Sequence, residues 1–417
     1  MQQNYSIELI LIGNELLLGK KQDANLQWLG SFLFTHGLTL NCVQVVDDSM
    51  DGIKTSLLLA ASRSNLILTS GGLGPTKDDL TKEALAQAFH KKLQFCPQAK
   101  NIVDAQYERH GRSCNYPVNR YDQLPEGAMA LNNPAGFAPA IQLPIGTDKN
   151  IYLLPGVPKE FQAIVEQTLW PRIKKNFGTG VSAQLIWRTF GMPEEKIFSS
   201  LVPALWDDLA RYGSVSSLPH STGVDVGLNL FASDSQKLLD LTQEAQTLVA
   251  NSALYPHVWT TKNESLPEML VHLAKKKNAT FAFAESCTGG MAASLITGVS
   301  GSSEVFKGSL VTYQTELKEK ILGITFDQLN LGVVSESIAR EMADKCRQKT
   351  GADYVLSFTG YAGPTGSDDQ NPTGRVWIAL STANKTDSKM YDLMGSRDER
   401  RYRFCTAGFH LLRQALL

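Results

Sequence analysis

At 417 residues, 43% of them hydrophobic and 19% charged, the chain is long enough to bury two or three separate cores. Forty Lys and Arg against 41 Asp and Glu give a net charge of -1 and a pI near 6.7. That balance lacks the basic face of a dedicated nucleic-acid binder and makes small-molecule chemistry the leading class.

No run of about 18 apolar residues occurs, and Met1-Gln-Gln-Asn-Tyr-Ser lacks a basic stretch followed by an apolar one. Neither a membrane span nor export is expected, so the cytoplasm is the predicted compartment. Cys42, Cys96, Cys114, Cys287, Cys346 and Cys405 form no CxxC pair and have no partnering histidine spacing. Reduced thiols are expected, with neither a zinc site nor a disulfide framework.

In chain order, residues 7–13 read as a buried strand, 25–34 as a helix, 38–46 as a strand and 50–62 as a helix. Residues 65–72 read as a strand running into a glycine loop, and 79–89 again as a helix. Such alternation builds a parallel sheet covered by helices, with ligands at the carboxyl ends of its strands. After Pro171 the pattern changes: a strand at 185–191, a helix over 193–209, period-two alternation over 224–232 and a helix over 235–249 predict a small α+β module. Residues 252–264 read as a connector. A second α/β domain begins with a helix at Leu266, followed by a strand at Thr280, the Ser286-Cys-Thr-Gly-Gly290 turn, strands at 308–313, 354–359 and 375–380, and a final helix. The expected domains are 1–172, 173–258 and 264–417.

The C-terminal domain carries the strongest chemical signal. Residues 285–290, 312–318 and 359–366 are polar loops leaving strand ends, and a parallel-type sheet brings such loops together on one edge. A serine nucleophile needs a base, yet between Val271 and Arg403 the one histidine is His272, ahead of the first strand. Lysine is the available substitute, because burial lowers an amine's pKa from about 10.4 toward neutrality. Lys318 is the candidate base for Ser286, with Tyr313 placed to donate a hydrogen bond to the nucleophile or its leaving group. The amides of Cys287, Thr288, Gly289 and Gly290, and those of the 360–366 loop, are candidate oxyanion donors or a phosphate cradle. Cys287 is a rival nucleophile, since a helix N-terminus lowers a thiol's pKa. Ser335 fits a helix N-cap, and the Ser-Cys-Thr-Gly-Gly turn itself can be read as a purely structural cap.

In the N-terminal third, Ser70 to Thr81 joins a glycine loop at a strand end to two aspartates opening a helix. Glycines let backbone amides approach phosphates, and Asp78 with Asp79 can either hold a divalent cation or simply complement the helix dipole.

Ala284-Glu-Ser-Cys-Thr-Gly-Gly290, Gly301-Ser-Ser303, Val311-Thr-Tyr-Gln-Thr-Glu-Leu-Lys318, Gly332-Val-Val-Ser-Glu336 and Thr359-Gly-Tyr-Ala-Gly-Pro364 resemble the signature of the CinA C-terminal domain, the nicotinamide mononucleotide (NMN) deamidase family. The resemblance implies a Ser/Lys amidohydrolase of pyridine-nucleotide salvage, converting NMN to nicotinic acid mononucleotide and ammonia without a cofactor. Ser286 is then the nucleophile, Lys318 the base and Tyr313 a supporting hydroxyl. Thr359, Gly360, Ala362 and Gly363 contact substrate, and one of Arg397, Arg400 and Arg401 binds its phosphate. Tyr361 stands where the family usually has Ile.

Gly71, Gly72, Gly74 and Thr76 with their neighbours, together with Ile12–Gly19, Asn133–Gly136 and Leu154–Glu160, resemble the CinA N-terminal domain, itself similar to molybdopterin-binding domains. That implies ADP-ribose hydrolysis with a divalent metal, Mg or similar, on Glu15, Asp48, Asp78 and Asp79. Gly71, Gly72, Gly74, Thr76 and Asn133 would form the nucleotide site, and Asn14 replaces the family's usual Thr or Asp. The alternatives are a non-catalytic nucleotide or pterin module, or a competence or damage-inducible accessory. The middle segment resembles the family's KH-like insert but has no GXXG loop in residues 185–250, which favours a spacer or dimerisation role over RNA binding. The implied whole is α/β: two three-layer α/β/α domains joined by a small α+β KH-like module, in a homodimer acting on small nucleotides, with neither nucleic acid nor membrane as partner.

Overall fold

The computed structural model describes residues 5–176, 180–220, 222–325, 332–367 and 371–417. The chain divides into two compact units, residues 1–184 with 229–244 and residues 185–228 with 245–417.

The first unit is built on strands β1 (Ile7–Ile12), β2 (Cys42–Val46), β3 (Leu66–Ser70), β4 (Leu93–Phe95), β5 (Gln123–Pro125), β6 (Met129–Leu131), β7 (Ala140–Ile145) and β8 (Lys149–Leu154). Six of them form one sheet in the order β2-β1-β3-β8-β7-β6, and β4 pairs with β5 separately. All six residues of β1 are buried, as a strand covered on both faces requires. Its alternation sorts them: Ile7, Leu9 and Leu11 pack with Leu29 and Phe161 in one core, while Ile10 and Ile12 pack with Ile53, Leu57 and Leu85 in the other. Helices on both faces thus make three layers.

The sheet departs from the parallel one expected. β1, β2, β3 and β8 run parallel, but at one edge β7 pairs antiparallel with β8 and β6 antiparallel with β7. The expected strand 38–46 also starts late, at Cys42.

In the middle of the chain, strands β9 (Val181–Thr189), β10 (Ser214–His220), β11 (Gly223–Ala232) and β12 (Val258–Thr260) form a sheet in the order β10-β11-β9-β12. The single helix expected over 193–209 is broken. A π-helical turn, Ile197–Leu201, ends at Val202, and a new helix starts at Leu205. Pro203 supplies no N–H to carry the ladder through, and it biases Val202 away from the helical region.

The second unit contains a five-stranded sheet, β14-β13-β15-β16-β17, made of β13 (Phe281–Glu285), β14 (Phe306–Val311), β15 (Tyr354–Gly360), β16 (Arg375–Ser381) and β17 (Thr386–Asp392). β13 lies between β14 and β15 and runs parallel to both, whereas β16 pairs antiparallel with β15 and β17 antiparallel with β16. Phe281, Phe283, Leu356 and Phe358 point to one face, where the helices Leu266–Lys277 and Arg397–Leu416 cover them. Ala282, Ala284 and Val355 point to the other, beneath the helix Glu336–Thr350. Both covering helices of the first face open on capping boxes, Ser265 with Glu268 and Ser396 with Glu399. Ser335 caps the third by accepting from the Ile338 amide.

The fold class is therefore α/β, with a three-layer arrangement in each unit. Among the described residues no helix is long and apolar enough to cross a membrane.

Candidate active site

The parallel strands β13, β14 and β15 end on one edge of the second unit's sheet. Glu285, the last residue of β13, pairs in register with Val311 of β14 and Phe358 of β15. The next residues along each strand, Ser286, Thr312 and Thr359, therefore emerge side by side.

The turn after β13 bends sharply, with Gly289 and Gly290 at φ values of 58° and 90° that L side chains rarely adopt. It leads into the helix Met291–Thr297. Glu285, wholly buried, fixes this turn from beneath. Its Oε2 accepts from the amides of Gly290 (2.9 Å) and Ala292 (3.1 Å), and its Oε1 accepts from the Ala293 amide (3.0 Å) and the Ser309 hydroxyl (2.8 Å). A carboxylate at a helix N-terminus satisfies both the orphan amides and the dipole.

The chain after β14 carries Tyr313 and then a short helix that passes into a π-helical turn, Lys318–Leu322. Lys318 is only 2% exposed. Its Nζ lies 3.0 Å from Ser286 Oγ and donates to the Thr312 carbonyl at 2.9 Å. Burial drives its pKa down from 10.5 to about 8, and a weaker opposing effect comes from Cys287. Among the described residues no carboxylate pairs with it, so the amine is poised to lose its proton near neutral pH. Once the amine is neutral, one hydrogen can stay on the Thr312 carbonyl while the lone pair turns to Ser286, an arrangement that suits a general base for a hydroxyl nucleophile.

Cys287, the rival, also lines the cavity, but burial pushes its thiol up to about 12. It stays a thiol at neutral pH, and the amine contacts Ser286.

These residues open onto a cavity of about 500 Å³ that Thr359, Gly360, Ala362 and Arg397 also line, within the ordinary range of small-molecule sites. Several expected contributors are otherwise engaged. The Gly289 amide donates to the Ser286 carbonyl (3.1 Å) and the Gly290 amide to Glu285, so these two of the four expected oxyanion donors are spent within the fold. Thr359 donates its hydroxyl to the Val333 carbonyl at 2.7 Å. Tyr313 is 54% exposed, and its Oη accepts from Arg397 Nη2 at 2.9 Å rather than contacting Ser286.

Of the three arginines, Arg400 donates to the Leu393 and Ala362 carbonyls, and Arg401 to the Thr288 carbonyl and Asp398. Arg397 alone among them lines the cavity, with its second donor on the Gly363 carbonyl. Sequence reasoning assigned no part to Glu285, although a carboxylate one residue before a glycine turn and helix start is the signal that could have found it.

The first unit has a cleft at the end of β3, about 450 Å³, lined by Gly72, Gly74, Thr76 and Asp79. A Cβ at Gly72 would sit 1.9 Å from Thr81 Oγ1, so no other residue fits there without moving the helix. Gly71 is buried, and its amide donates to the Leu154 carbonyl.

Asp48 is held above the ordinary carboxylate range, first by burial and then by the charges of Glu15, Asp78 and Asp79, so the four acidic groups stand in electrostatic reach of one another. Asp48 accepts from the Asn14 amide (2.8 Å) and Asp79 from the Thr76 amide (2.8 Å), and among the described residues no three acidic, histidine or cysteine side chains converge on a metal position. Asn133 is fully buried, with its amide group spent on the Ala138 carbonyl and Glu160; it does not line the cleft. Lys82 and Tyr121 do, and sequence patterning gave no sign of either.

Comparison with known proteins places both units. Residues 263–416 match the family model "CinA C-terminal domain", and residues 8–175 match "Probable molybdopterin binding domain". A CinA-like protein of Kosmotoga olearia is 34% identical over 98% of both chains. A relative in Thermoanaerobacter pseudethanolicus, described as competence-damage inducible, is 33% identical, again over 98% of both. A crystal structure of CinA from Thermoplasma acidophilum is 32% identical, covering 41% of this chain and 96% of that one at a TM-score of 0.36. With matches of this identity along almost its whole length, the chain belongs to the CinA family.

Proposed function

We propose that the second unit is an amidohydrolase acting on the carboxamide of NMN. One observation carries this reading: a buried lysine amine, with a pKa near 8, stands 3.0 Å from a serine hydroxyl in a cavity of about 500 Å³.

In the reaction, neutral Lys318 takes the Ser286 proton as Oγ bonds to the carboxamide carbon. The C=O electrons move onto oxygen, which the Cys287 and Thr288 amides receive. Collapse breaks the C–N bond while the Lys318 ammonium returns its proton to the departing nitrogen, giving ammonia and a Ser286 ester. Water, deprotonated by the same amine, attacks the ester to release the nicotinic acid nucleotide, and Ser286 recovers its proton. No histidine or metal takes part in these steps. The test is purified protein incubated with NMN: ammonia and nicotinic acid mononucleotide appear in equal amounts, and a protein that releases neither has another substrate.

The lysine sets the pH dependence. A folded pKa lowered to about 8 leaves roughly a tenth of the amine neutral at pH 7 and most of it neutral at pH 9. The logarithm of kcat/KM should climb with unit slope below pH 8 and level off above it. A profile flat between pH 6 and 9 would exclude Lys318 as the base.

Arg397 is the phosphate partner in this reading, because of the three arginines it alone lines the cavity. The phosphate is remote from the reacting carbon, so its contact is the same in ground and transition states. Arg397→Ala should raise KM for NMN about ten- to a hundredfold while kcat stays within about threefold, and should leave nicotinamide lacking the phosphate unaffected.

For the first unit, the glycine-lined cleft with its acidic rim supports nucleotide binding, with a metal-dependent pyrophosphatase and a non-catalytic binding module as the two readings. AMP appearing from ADP-ribose on addition of Mg²⁺, and lost in Asp79→Ala, would select the first, and ADP-ribose bound without turnover the second.

A further inference from the structure

The ring that carries the NMN carboxamide is a pyridinium, a cation, and the Ser286 cavity offers it no anion. Lys318 and Arg397 are the charged side chains among the described residues that line the cavity, and both are basic. A cation entering such a space gives up water without gaining an ion pair, so another group must offset that cost.

Aromatic faces are the remaining source of negative potential, because the quadrupole of a phenol ring attracts a cation within about 6 Å of its centroid. Among the described residues two tyrosines line the cavity. Tyr313 is committed to the phosphate partner: its Oη accepts from Arg397 Nη2 at 2.9 Å, which sets a guanidinium beside it. Tyr361 has no such neighbour at its post. It follows β15, two residues beyond the Thr359 that emerges beside Ser286, and so stands about 7 Å further along the chain. That offset matches a ring attached to the carbon under attack. Val333 and Val334 line the same cavity and bring no charge that would compete for the ring.

The tyrosine is also held in advance. Its amide donates to the Arg375 carbonyl (2.9 Å), and its own carbonyl accepts from the Gly374 amide (2.7 Å), so strand β16 fixes its backbone from both sides. The loop then returns onto the half-buried ring through Gly366, at a φ of 91°, where a Cβ would stand 3.3 Å from Tyr361 Cδ1. An aromatic surface fixed in this way loses little freedom when a ligand stacks on it.

We propose, on the amidohydrolase reading, that the face of Tyr361 receives the pyridinium and makes the site select a positively charged aromatic carboxamide over an uncharged one of the same shape. Ser286 meets the carboxamide, Arg397 the phosphate, and Tyr361 the charge on the ring.

The experiment titrates the full-length Ser286→Ala protein, which cannot turn substrate over, by calorimetry. The probes are NMN and the benzamide nucleotide in which a neutral benzene ring replaces the pyridinium; carboxamide, ribose and phosphate are common to both. NMN should bind about five- to thirtyfold more tightly. Adding Tyr361→Leu should remove at least about fivefold of that preference, whereas Tyr361→Phe, which keeps the ring face and loses the hydroxyl, should retain it. Equal affinity for the two nucleotides with Tyr361 intact overturns the proposal without any variant at that position. So does a Tyr361→Leu protein that weakens both by the same factor, as disturbance of the loop would, or a loss equally large in Tyr361→Phe. Each of these leaves wild-type NMN hydrolysis standing. Wild-type protein that neither binds nor hydrolyses NMN overturns the amidohydrolase reading and this assignment together.

Discussion

Replacing Lys318 with methionine should lower kcat for NMN hydrolysis by at least about 10³-fold, and Ser286→Ala by about 10⁴-fold or more. The methionine keeps the length and apolar stem of the lysine, so the buried channel stays filled and the fold is retained; only the basic lone pair is lost. Without it the serine must give its proton to water, and its hydroxyl, with a pKa far above neutral, is no longer activated. The double variant should be no slower than Ser286→Ala, because two groups that act in one proton transfer do not contribute independently. Lys318→Arg is the complementary variant: a guanidinium cannot be deprotonated in a protein, so charge and hydrogen bonding survive while basicity does not. It should be as slow as the methionine variant. Ammonia release measured at pH 9 decides the matter, and a Lys318→Met enzyme within about tenfold of wild type would sink the dyad.

Why this pair was legible in the sequence, and its surroundings less so, is a matter of how locally each feature is determined. β13 and β14 are parallel neighbours that cross one short helix, so residues just past their ends had to emerge together; the lack of a histidine in that stretch then left the lysine. Burial chose between the two nucleophiles, and burial is a tertiary property: the same Ser-Cys sequence on an open turn would have kept Cys287 in contention. The parallel strands β1, β3, β13 and β15 could be read from their apolar runs, and β11 and the antiparallel β16 could be read as well, whereas β8 was missed. Three antiparallel strands gave too little pattern. β6 has three residues, β7 contains Pro144, and β17, Thr-Asp-Ser-Lys-Met-Tyr-Asp, lacks an apolar face because it lies at the sheet edge. The amides of Gly289 and Gly290 looked available because a sequence names donors without naming what accepts from them. Asn133 misled for the same reason: a conspicuous polar residue in a turn motif is used inside the fold, tying the 133–138 turn to Glu160.

The acceptor that consumes the Gly290 amide is itself the target of the second strong effect. Glu285→Gln should destabilise the second unit by about 2–4 kcal/mol and reduce kcat about a hundredfold or more with KM little changed. The substitution is nearly isosteric, so packing is not the cause. Four donors converge on the two carboxylate oxygens, two on each. A glutamine offers one oxygen and one NH₂, so in one orientation the NH₂ faces the Gly290 and Ala292 amides and in the other the Ala293 amide beside a Ser309 hydroxyl that can turn to accept, leaving at least one backbone donor unsatisfied either way. Relief requires the turn to shift, and the turn holds Ser286 and the amides of Cys287 and Thr288. A displacement of about 1 Å is enough to cost two orders of magnitude at the chemical step, while Arg397, at the start of a different helix, keeps its place and with it the substrate affinity. Ser309→Ala separates the two contributions: it removes one neutral donor and leaves the three amides paired, so it should cost about 1 kcal/mol and spare kcat. Denaturant titration alongside steady-state kinetics on both variants makes the comparison. Equal kcat in Glu285→Gln and wild type, despite lowered stability, would show that the carboxylate supports the fold without aiming the nucleophile.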